Sequence, residues 1–164
     1  MLALNVGAPI CLTKPLLPLL KQATSAMVVN VGSTYGSIGY PGYASYCATK
    51  FALRGFSEAL RRELADTRVS VLYVAPRATR TSMNSPAAQA LNDALKSNVD
   101  DPQTVAAVIH AIAGDRRDLY LGWPERFFVR LNSLLPNLVD RGLRKQLPLI
   151  RSLSQKSDKE NLKP

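Results

Sequence analysis

Residues 26–33, Ala-Met-Val-Val-Asn-Val-Gly-Ser, and residues 69–76, Val-Ser-Val-Leu-Tyr-Val-Ala-Pro, decide the fold. Each is a short, nearly continuous apolar run ending in residues typical of turns, which is the pattern of a strand buried on both faces. Between them, residues 43–64 carry large apolar side chains at helical spacing, namely Phe51, Phe56, Leu60 and Leu64. Strand, helix, strand is the alternation that builds parallel sheets.

The segments on either side extend this alternation. The apolar spacing from Leu2 to about Leu20 predicts a helix that Pro15 and Pro18 weaken and end. Asp101 is placed to cap a helix beginning at Pro102, and residues 118–122 predict a third strand. The predicted fold class is therefore α/β, with helices on both faces of a doubly wound parallel sheet.

Composition predicts three parts in the chain. Residues 1–123 form the α/β part, in which the polar stretch 79–98 is expected to be a mobile flap. Residues 124–154 alternate apolar and basic side chains and predict an amphipathic helical region broken near Pro136. Residues 155–164 are composed like a disordered tail.

The bulk composition excludes several classes of protein. The net charge of +9 is spread over the whole chain without aromatic residues interleaved, so we expect no nucleic-acid partner. The two cysteines have no metal-site spacing, and one pair does not suggest a disulfide scaffold. Lys14 and the two prolines interrupt the apolar N-terminal run, so we expect neither export nor a membrane span and predict a cytoplasmic protein.

Tyr46 and Lys50 are the first candidates for chemistry. They lie four residues apart on the predicted helix, so both project from one face, and an ammonium near a phenol is expected to lower the phenol pKa. Such a tyrosine can give a proton to a forming alkoxide or take one from an alcohol. Ser33 ends the first strand, where its hydroxyl could bond the same substrate oxygen.

Three segments, in this order and spacing, resemble the motifs of the short-chain dehydrogenases/reductases. They are Asn30-Val31-Gly32-Ser33, Tyr46-Cys47-Ala48-Thr49-Lys50-Phe51-Ala52-Leu53 and Val74-Ala75-Pro76. The resemblance extends from about Leu4 to Gly122. It implies an incomplete Rossmann-type sheet of about three strands.

The resemblance also implies a role for each matched residue. Tyr46 would be the general acid/base, Lys50 would lower its pKa and hold the nicotinamide ribose, and Ser33 would orient the substrate carbonyl. Asn5 would anchor a proton-relay water. Pro76 and Thr81 would contact the nicotinamide carboxamide. The implied cofactor is NAD(P), and the implied substrate is a small alcohol or carbonyl compound.

The sequence departs from the family pattern in two places. Arg77 stands where the family usually has glycine, so its side chain is expected to narrow the nicotinamide site. The family's Gly-rich phosphate-binding turn does not occur in the 164 residues, and Gly36–Gly39 reads as an active-site loop instead. We therefore expect a truncated or misannotated form of a longer enzyme, with weak cofactor binding and impaired activity.

Two alternatives to an enzyme stay open. The chain could be a non-enzymatic partner that pairs with itself or with full-length relatives through helices 1–20 and 43–64, and a homo-oligomer is expected in either case. It could also be a basic protein that binds the inner membrane surface peripherally through residues 124–154, since residues 124–164 carry nine basic and four acidic groups. Cys47 and His110 are interpreted as structural. The 164 residues do not indicate whether the implied cofactor is NAD or NADP.

Overall fold

The computed structural model describes residues 1–82, 86–95, 97, 99–112 and 118–161. A π-helical turn, Ala3–Gly7, leads into the first helix, and a 3-10 turn, Thr34–Gly36, follows the first strand. The helices and strands are α1 (Ala8–Gln22), β1 (Ala26–Val31), α2 (Ala44–Glu63), β2 (Val69–Ala75), α3 (Pro86–Ala94), α4 (Pro102–Ile112), β3 (Asp118–Tyr120), α5 (Trp123–Leu134) and α6 (Pro136–Asn161).

The three strands form one parallel sheet in the order β1-β2-β3. In its register, Val31 of β1 pairs with Val74 of β2, and Ala75 of β2 pairs with Tyr120 of β3. The predicted α/β class with a parallel, three-stranded sheet is confirmed. All carboxyl ends of the strands meet at one edge of the sheet, which is where ligands bind in such folds.

Alternate residues of β2 pack on opposite faces of the sheet. Leu72 and Val74 contact Val105 of α4 on one face. Val71 contacts Leu60 of α2 on the other face, where α1 also contributes apolar side chains. Helices therefore cover both faces, as predicted, because β2 carries apolar residues on both.

The prolines of α1 do not end the helix, contrary to the sequence prediction. Pro15 and Pro18 both lie inside α1, which continues to Gln22. Leu17 and Leu20 pack against the apolar cluster between α2 and the sheet. Tertiary burial of this helical face offsets the backbone hydrogen bonds that the two prolines cannot donate.

The N-terminal helical segment runs from Ala3 to Gln22, close to the predicted range of Leu2 to about Leu20. Ala3–Gln22 is long and apolar enough to cross a membrane by length and composition, with a mean hydropathy of 1.4. The expectation that the chain does not span a membrane stays a prediction. Core helices and signal sequences meet the same criterion, so it carries no argument for a membrane span.

The stretch predicted as a flap contains α3, a helix that lies against α6. Its two ends are joined by a bridge between Thr79 and Asp100, and residues 83–85, 96 and 98 lie outside the described residues.

The break near Pro136 is confirmed, since α5 ends at Leu134. Helix α6 runs on to Asn161, although composition predicted an unstructured tail from residue 155. The division into 1–123, 124–154 and 155–164 stays a prediction.

Candidate active site

Ser33 lies just past the carboxyl end of β1, where the backbone is fully extended. Its Oγ accepts a hydrogen bond from the Tyr35 amide at 3.2 Å and so begins the 3-10 turn. The Thr34 amide donates to the Pro76 carbonyl at 3.1 Å, which ties this turn to the end of β2. Backbone bonds on both sides thus hold the serine at the edge of the sheet where ligands are expected.

Tyr73 of β2 supports this turn from below and was missed by the sequence analysis. Its ring is fully buried, and its hydroxyl lies within hydrogen-bond distance of the Ser33 backbone. Burial raises the pKa of Tyr73 to about 12. A tyrosine in an otherwise apolar strand was the available signal, because a buried phenol needs a hydrogen-bond partner.

Tyr46 and Lys50 project from one face of α2, as their spacing predicted. The Lys50 Nζ lies over the Tyr46 ring, 5.6 Å from its centroid, and donates a hydrogen bond to the Val31 carbonyl at 3.2 Å. The lysine thereby connects α2 to the end of β1, beside Ser33. The structure therefore brings Ser33, Tyr46 and Lys50 into one site.

Burial governs the electrostatics of this site. It raises the pKa of the Tyr46 phenol, and the side-chain hydrogen bond with Ser33 acts in the opposite direction. Burial also lowers the pKa of the Lys50 ammonium. The net direction for Tyr46 is opposite to the predicted one, because the cost of charging a half-buried phenol is the largest contribution.

Asn5 reaches α2 from the π-helical turn before α1. Its Nδ2 donates to Thr49 Oγ1 at 3.1 Å, and Thr49 Oγ1 donates to the Tyr46 carbonyl at 2.8 Å. Local π-helical turns are frequent at functional sites. The structure thus couples Asn5 to the turn of helix that carries Tyr46 and Lys50, while its predicted role in a water relay stays a prediction.

Arg77 follows Pro76 at the end of β2, and its side chain pairs with acidic residues from two other segments of the chain. Its guanidinium forms two hydrogen bonds with the Asp100 carboxylate, at 2.8 and 2.5 Å, and lies 3.8 Å from Glu125. The Asp100 hydrogen bonds raise the pKa of Arg77 further. The predicted narrowing of the nicotinamide site by Arg77 stays a prediction. Thr81 is exposed, beyond the base of the flap.

A group of tyrosines adjoins Tyr46. Tyr35 stacks on Tyr40 with ring centroids 5.0 Å apart, and Tyr35 meets the edge of Tyr46 at 6.3 Å. The Tyr43 ring contacts both, with its centroid 5.4 Å from that of Tyr35 and 6.5 Å from that of Tyr46. Burial raises the pKa of Tyr35 well above its ordinary value, so these phenols are neutral at physiological pH. They form an aromatic wall beside the phenol of Tyr46.

Proteins of known family resemble the chain over this same region. A family model described as short chain dehydrogenase matches residues 1–92, which include Ser33, Tyr46 and Lys50. An uncharacterized oxidoreductase, YxnA, of Bacillus subtilis (strain 168) is 33% identical over 124 residues, covering 72% of this chain and 35% of that protein. An NADP-dependent 3-hydroxy acid dehydrogenase of Schizosaccharomyces pombe is 36% identical over 84 residues, covering 51% of this chain and 32% of that protein.

A solved structure shares the fold over nearly the whole chain. It is a short-chain dehydrogenase from Streptomyces avermitilis, with 28% identity and a TM-score of 0.67, covering 93% of this chain and 61% of that one. The chain thus spans 35% and 32% of the length of the two curated relatives.

Proposed function

Because this chain belongs to the short-chain dehydrogenase family, we propose that it carries the catalytic part of an NAD(P)-dependent oxidoreductase that interconverts an alcohol and a carbonyl compound. The observation that carries the proposal is one site in which the Ser33 hydroxyl interacts with the Tyr46 phenol while Lys50 lies over the Tyr46 ring. These groups suit proton transfer at a single substrate oxygen.

Tyr46 acts as the general acid/base of the proposed reaction. During reduction it gives its proton to the carbonyl oxygen, and during oxidation it takes a proton from the alcohol. Ser33 Oγ donates a hydrogen bond to the same oxygen and orients it. Burial keeps Tyr46 protonated at neutral pH, which suits the direction in which it acts as an acid.

The residues present fit the nicotinamide end of a dinucleotide. Lys50 Nζ bonds the Val31 carbonyl, and an ammonium has three donors, so the remaining ones suit a ribose. Pro76 and Thr81 are assigned to the carboxamide, and the neighbouring Arg77 guanidinium is held by Asp100. The nicotinamide supplies or accepts the hydride when bound.

The pyrophosphate end of a dinucleotide has no matching turn in these 164 residues. In dinucleotide-binding folds a Gly-rich turn and a helix N-terminus supply most of the phosphate contacts. We therefore propose that this chain by itself binds NAD(P) weakly and has little or no turnover.

Fluorescence titration of this chain with NADH and NADPH tests the binding proposal. We expect weak or no binding of either, with any residual binding lost in Lys50→Ala and retained in Lys21→Ala, a lysine on α1. Tight binding by the unmodified chain would contradict the proposed dependence on a Gly-rich turn.

The chemistry is tested in a version of the protein that carries a dinucleotide-binding segment before Met1. Tyr46→Phe should reduce turnover by about 10²–10⁴-fold and leave dinucleotide binding near normal. Tyr43→Phe, on the neighbouring tyrosine, is the matched control. Retention of turnover in Tyr46→Phe would refute the general acid/base assignment.

A second candidate function is association without catalysis. Large leucines of α1 are exposed, including Leu12 at 62% and Leu19 at 70%, and such a surface favours contact with another subunit. We propose that the chain forms homo-oligomers or pairs with a longer relative through α1. A well-folded monomer in size-exclusion chromatography across a wide concentration range would rule this out.

A further inference from the structure

The outward face of α5 is unusually apolar. Trp123, Phe127 and Leu134 are 77%, 52% and 78% exposed, and their helical positions fall within about 40° of one another. The rings of Trp123 and Phe127 stack, with centroids 6.2 Å apart. These three side chains form the aromatic face of α5. Exposed apolar patches of this kind usually mark a binding surface.

Contacts on the opposite side of α5 prevent this face from turning inward. Val129 is buried at 6% exposure, and Asn132 Nδ2 donates to the Ser37 carbonyl at 3.1 Å. Glu125 lies 3.8 Å from the Arg77 guanidinium. Each of these contacts would be lost if the helix rotated about its axis. The aromatic face therefore stays exposed in the folded chain.

The exposed charged side chains of α5 are all basic. Glu125, the acidic residue of α5, points inward to Arg77, whereas Arg126 and Arg130 are exposed beside the apolar side chains. Helix α6 exposes one acidic residue, Asp140, and a larger number of basic residues and leucines, namely Arg141, Arg144, Lys145, Leu138 and Leu149. Residues 123–152 contain six basic and two acidic groups.

We propose that the aromatic face of α5, together with the basic side of α6, binds the surface of an anionic lipid bilayer. Trp123, Phe127 and Leu134 enter the boundary between headgroups and acyl chains. Arg126 and Arg130 bind the headgroup phosphates beside them. Aromatic and apolar side chains on one helical face, flanked by arginines, are the features of helices that lie in a membrane interface.

A second copy of the chain fits this surface less well. In a two-fold symmetric contact each face meets itself, so Arg126 and Arg130 would lie opposite their own copies, with no exposed carboxylate on α5 to offset them. Helix α1 also exposes leucines, but its charged residues are only Lys14 and Lys21. Charge complementarity with anionic lipid therefore favours α5 and α6.

Trp123 is the one tryptophan of the chain, so its fluorescence reports directly on the proposed surface. The 164-residue chain is mixed with vesicles of phosphatidylcholine, or of phosphatidylcholine with about one third phosphatidylglycerol. We expect a blue shift of Trp123 emission on the anionic vesicles alone, reversed by high salt. Unchanged emission with anionic vesicles would overturn the proposal. A blue shift that appears without vesicles and depends on protein concentration would also overturn it, because it indicates self-association.

Paired variants separate the contributions in vesicle co-sedimentation. Two double variants of α5 should each weaken partitioning onto the anionic vesicles by at least about tenfold. One combines Phe127→Ser with Leu134→Ser, and the other combines Arg126→Glu with Arg130→Glu. Two double variants of α1 are the matched controls and should change partitioning by no more than about twofold. They are Leu12→Ser with Leu19→Ser and Lys14→Glu with Lys21→Glu. Circular dichroism verifies that each variant is folded. Weakening by the α1 pairs but not by the α5 pairs would refute the assignment.

Discussion

The Tyr73 hydroxyl is hydrogen-bonded to both backbone polar groups of Ser33. It accepts from the Ser33 amide at 3.3 Å and donates to the Ser33 carbonyl at 3.0 Å. The two residues are 40 positions apart: Tyr73 lies on β2, and Ser33 follows the neighbouring strand β1. A fully buried ring in the sheet thereby holds the backbone of the proposed catalytic serine at two points.

Tyr73→Phe keeps the ring but removes both of these hydrogen bonds. We expect a loss of about 1–3 kcal/mol in the free energy of unfolding, because the Ser33 amide and carbonyl lose a buried partner. Urea denaturation followed by circular dichroism measures this loss. Tyr43→Phe, on a half-buried tyrosine of the neighbouring loop, should change the stability by less than about 0.5 kcal/mol. Equal losses in the two variants would show that the Ser33 contacts contribute nothing.

Gly32 packs closely against the Tyr73 ring, so a larger residue at position 32 should destabilise the chain. A Cβ atom added at Gly32 would lie 2.2 Å from that ring, whereas one added at Gly39 would meet nothing within 4 Å. Gly32→Ala should therefore destabilise the chain by about 1–3 kcal/mol or more, and Gly39→Ala should not. Adding Tyr73→Val to Gly32→Ala should recover part of the loss, because the smaller side chain removes the clash. A double-mutant cycle that shows no coupling would contradict this packing.

Much of the fold followed from the sequence because its signals are local. The strand 69–75 was predicted to the residue, and helix 43–64 to within one, since both have continuous buried faces. Ser33, Tyr46 and Lys50 could be brought together because one follows a strand and the others share a helical face. The support from Tyr73 could not be predicted, since it depends on which residue of β2 lies beneath the Ser33 turn.

The remaining errors also have physical causes. Pro15 and Pro18 indicated a helix end, but burial of the neighbouring leucines in the core maintains α1. The pKa of Tyr46 was inferred from Lys50 alone, while the larger contribution is burial, which no local pattern reveals. The partner of Arg77 lies 23 residues away, across the flap, and so depends on the tertiary structure.

The Ser33 hydroxyl affects the titration of Tyr46. Its interaction with the phenol lowers the pKa of Tyr46, against the larger effect of burial. Ser33→Ala should therefore raise the pKa of Tyr46 further and shift its phenolate absorbance to higher pH. Ultraviolet titration near 295 nm measures phenolate formation, and comparing Ser33→Ala with the double variant Ser33→Ala/Tyr46→Phe isolates the contribution of Tyr46. Ser45→Ala is the control. In an active form, alcohol oxidation, which needs the phenolate, should shift its alkaline rise in the same direction. A shift toward lower pH would contradict the assignment.

The ion pair between Arg77 and Asp100 should stabilise the base of the flap, beside the bridge between Thr79 and Asp100. Their side chains are only 24% and 16% exposed, and the Asp100 backbone also bonds Ala78 and Arg80 across the bridge. Asp100→Asn removes the charge that the guanidinium needs while keeping the side chain's size. We expect a loss of about 1–3 kcal/mol in the free energy of unfolding, since charge-assisted bonds with partial burial are lost.

Hydrogen exchange distinguishes local loosening of the flap from global unfolding in this variant. The amides of Arg80 and Asp100, which donate across the bridge, should exchange faster in Asp100→Asn, while those in the middle of β2 should change less. Glu58→Gln, which breaks the exposed pair with Arg62 on α2, is the matched control and should cost at most about 0.5 kcal/mol. Unchanged exchange at the bridge would mean that the backbone bonds alone close the flap and that Arg77 has no part in holding it.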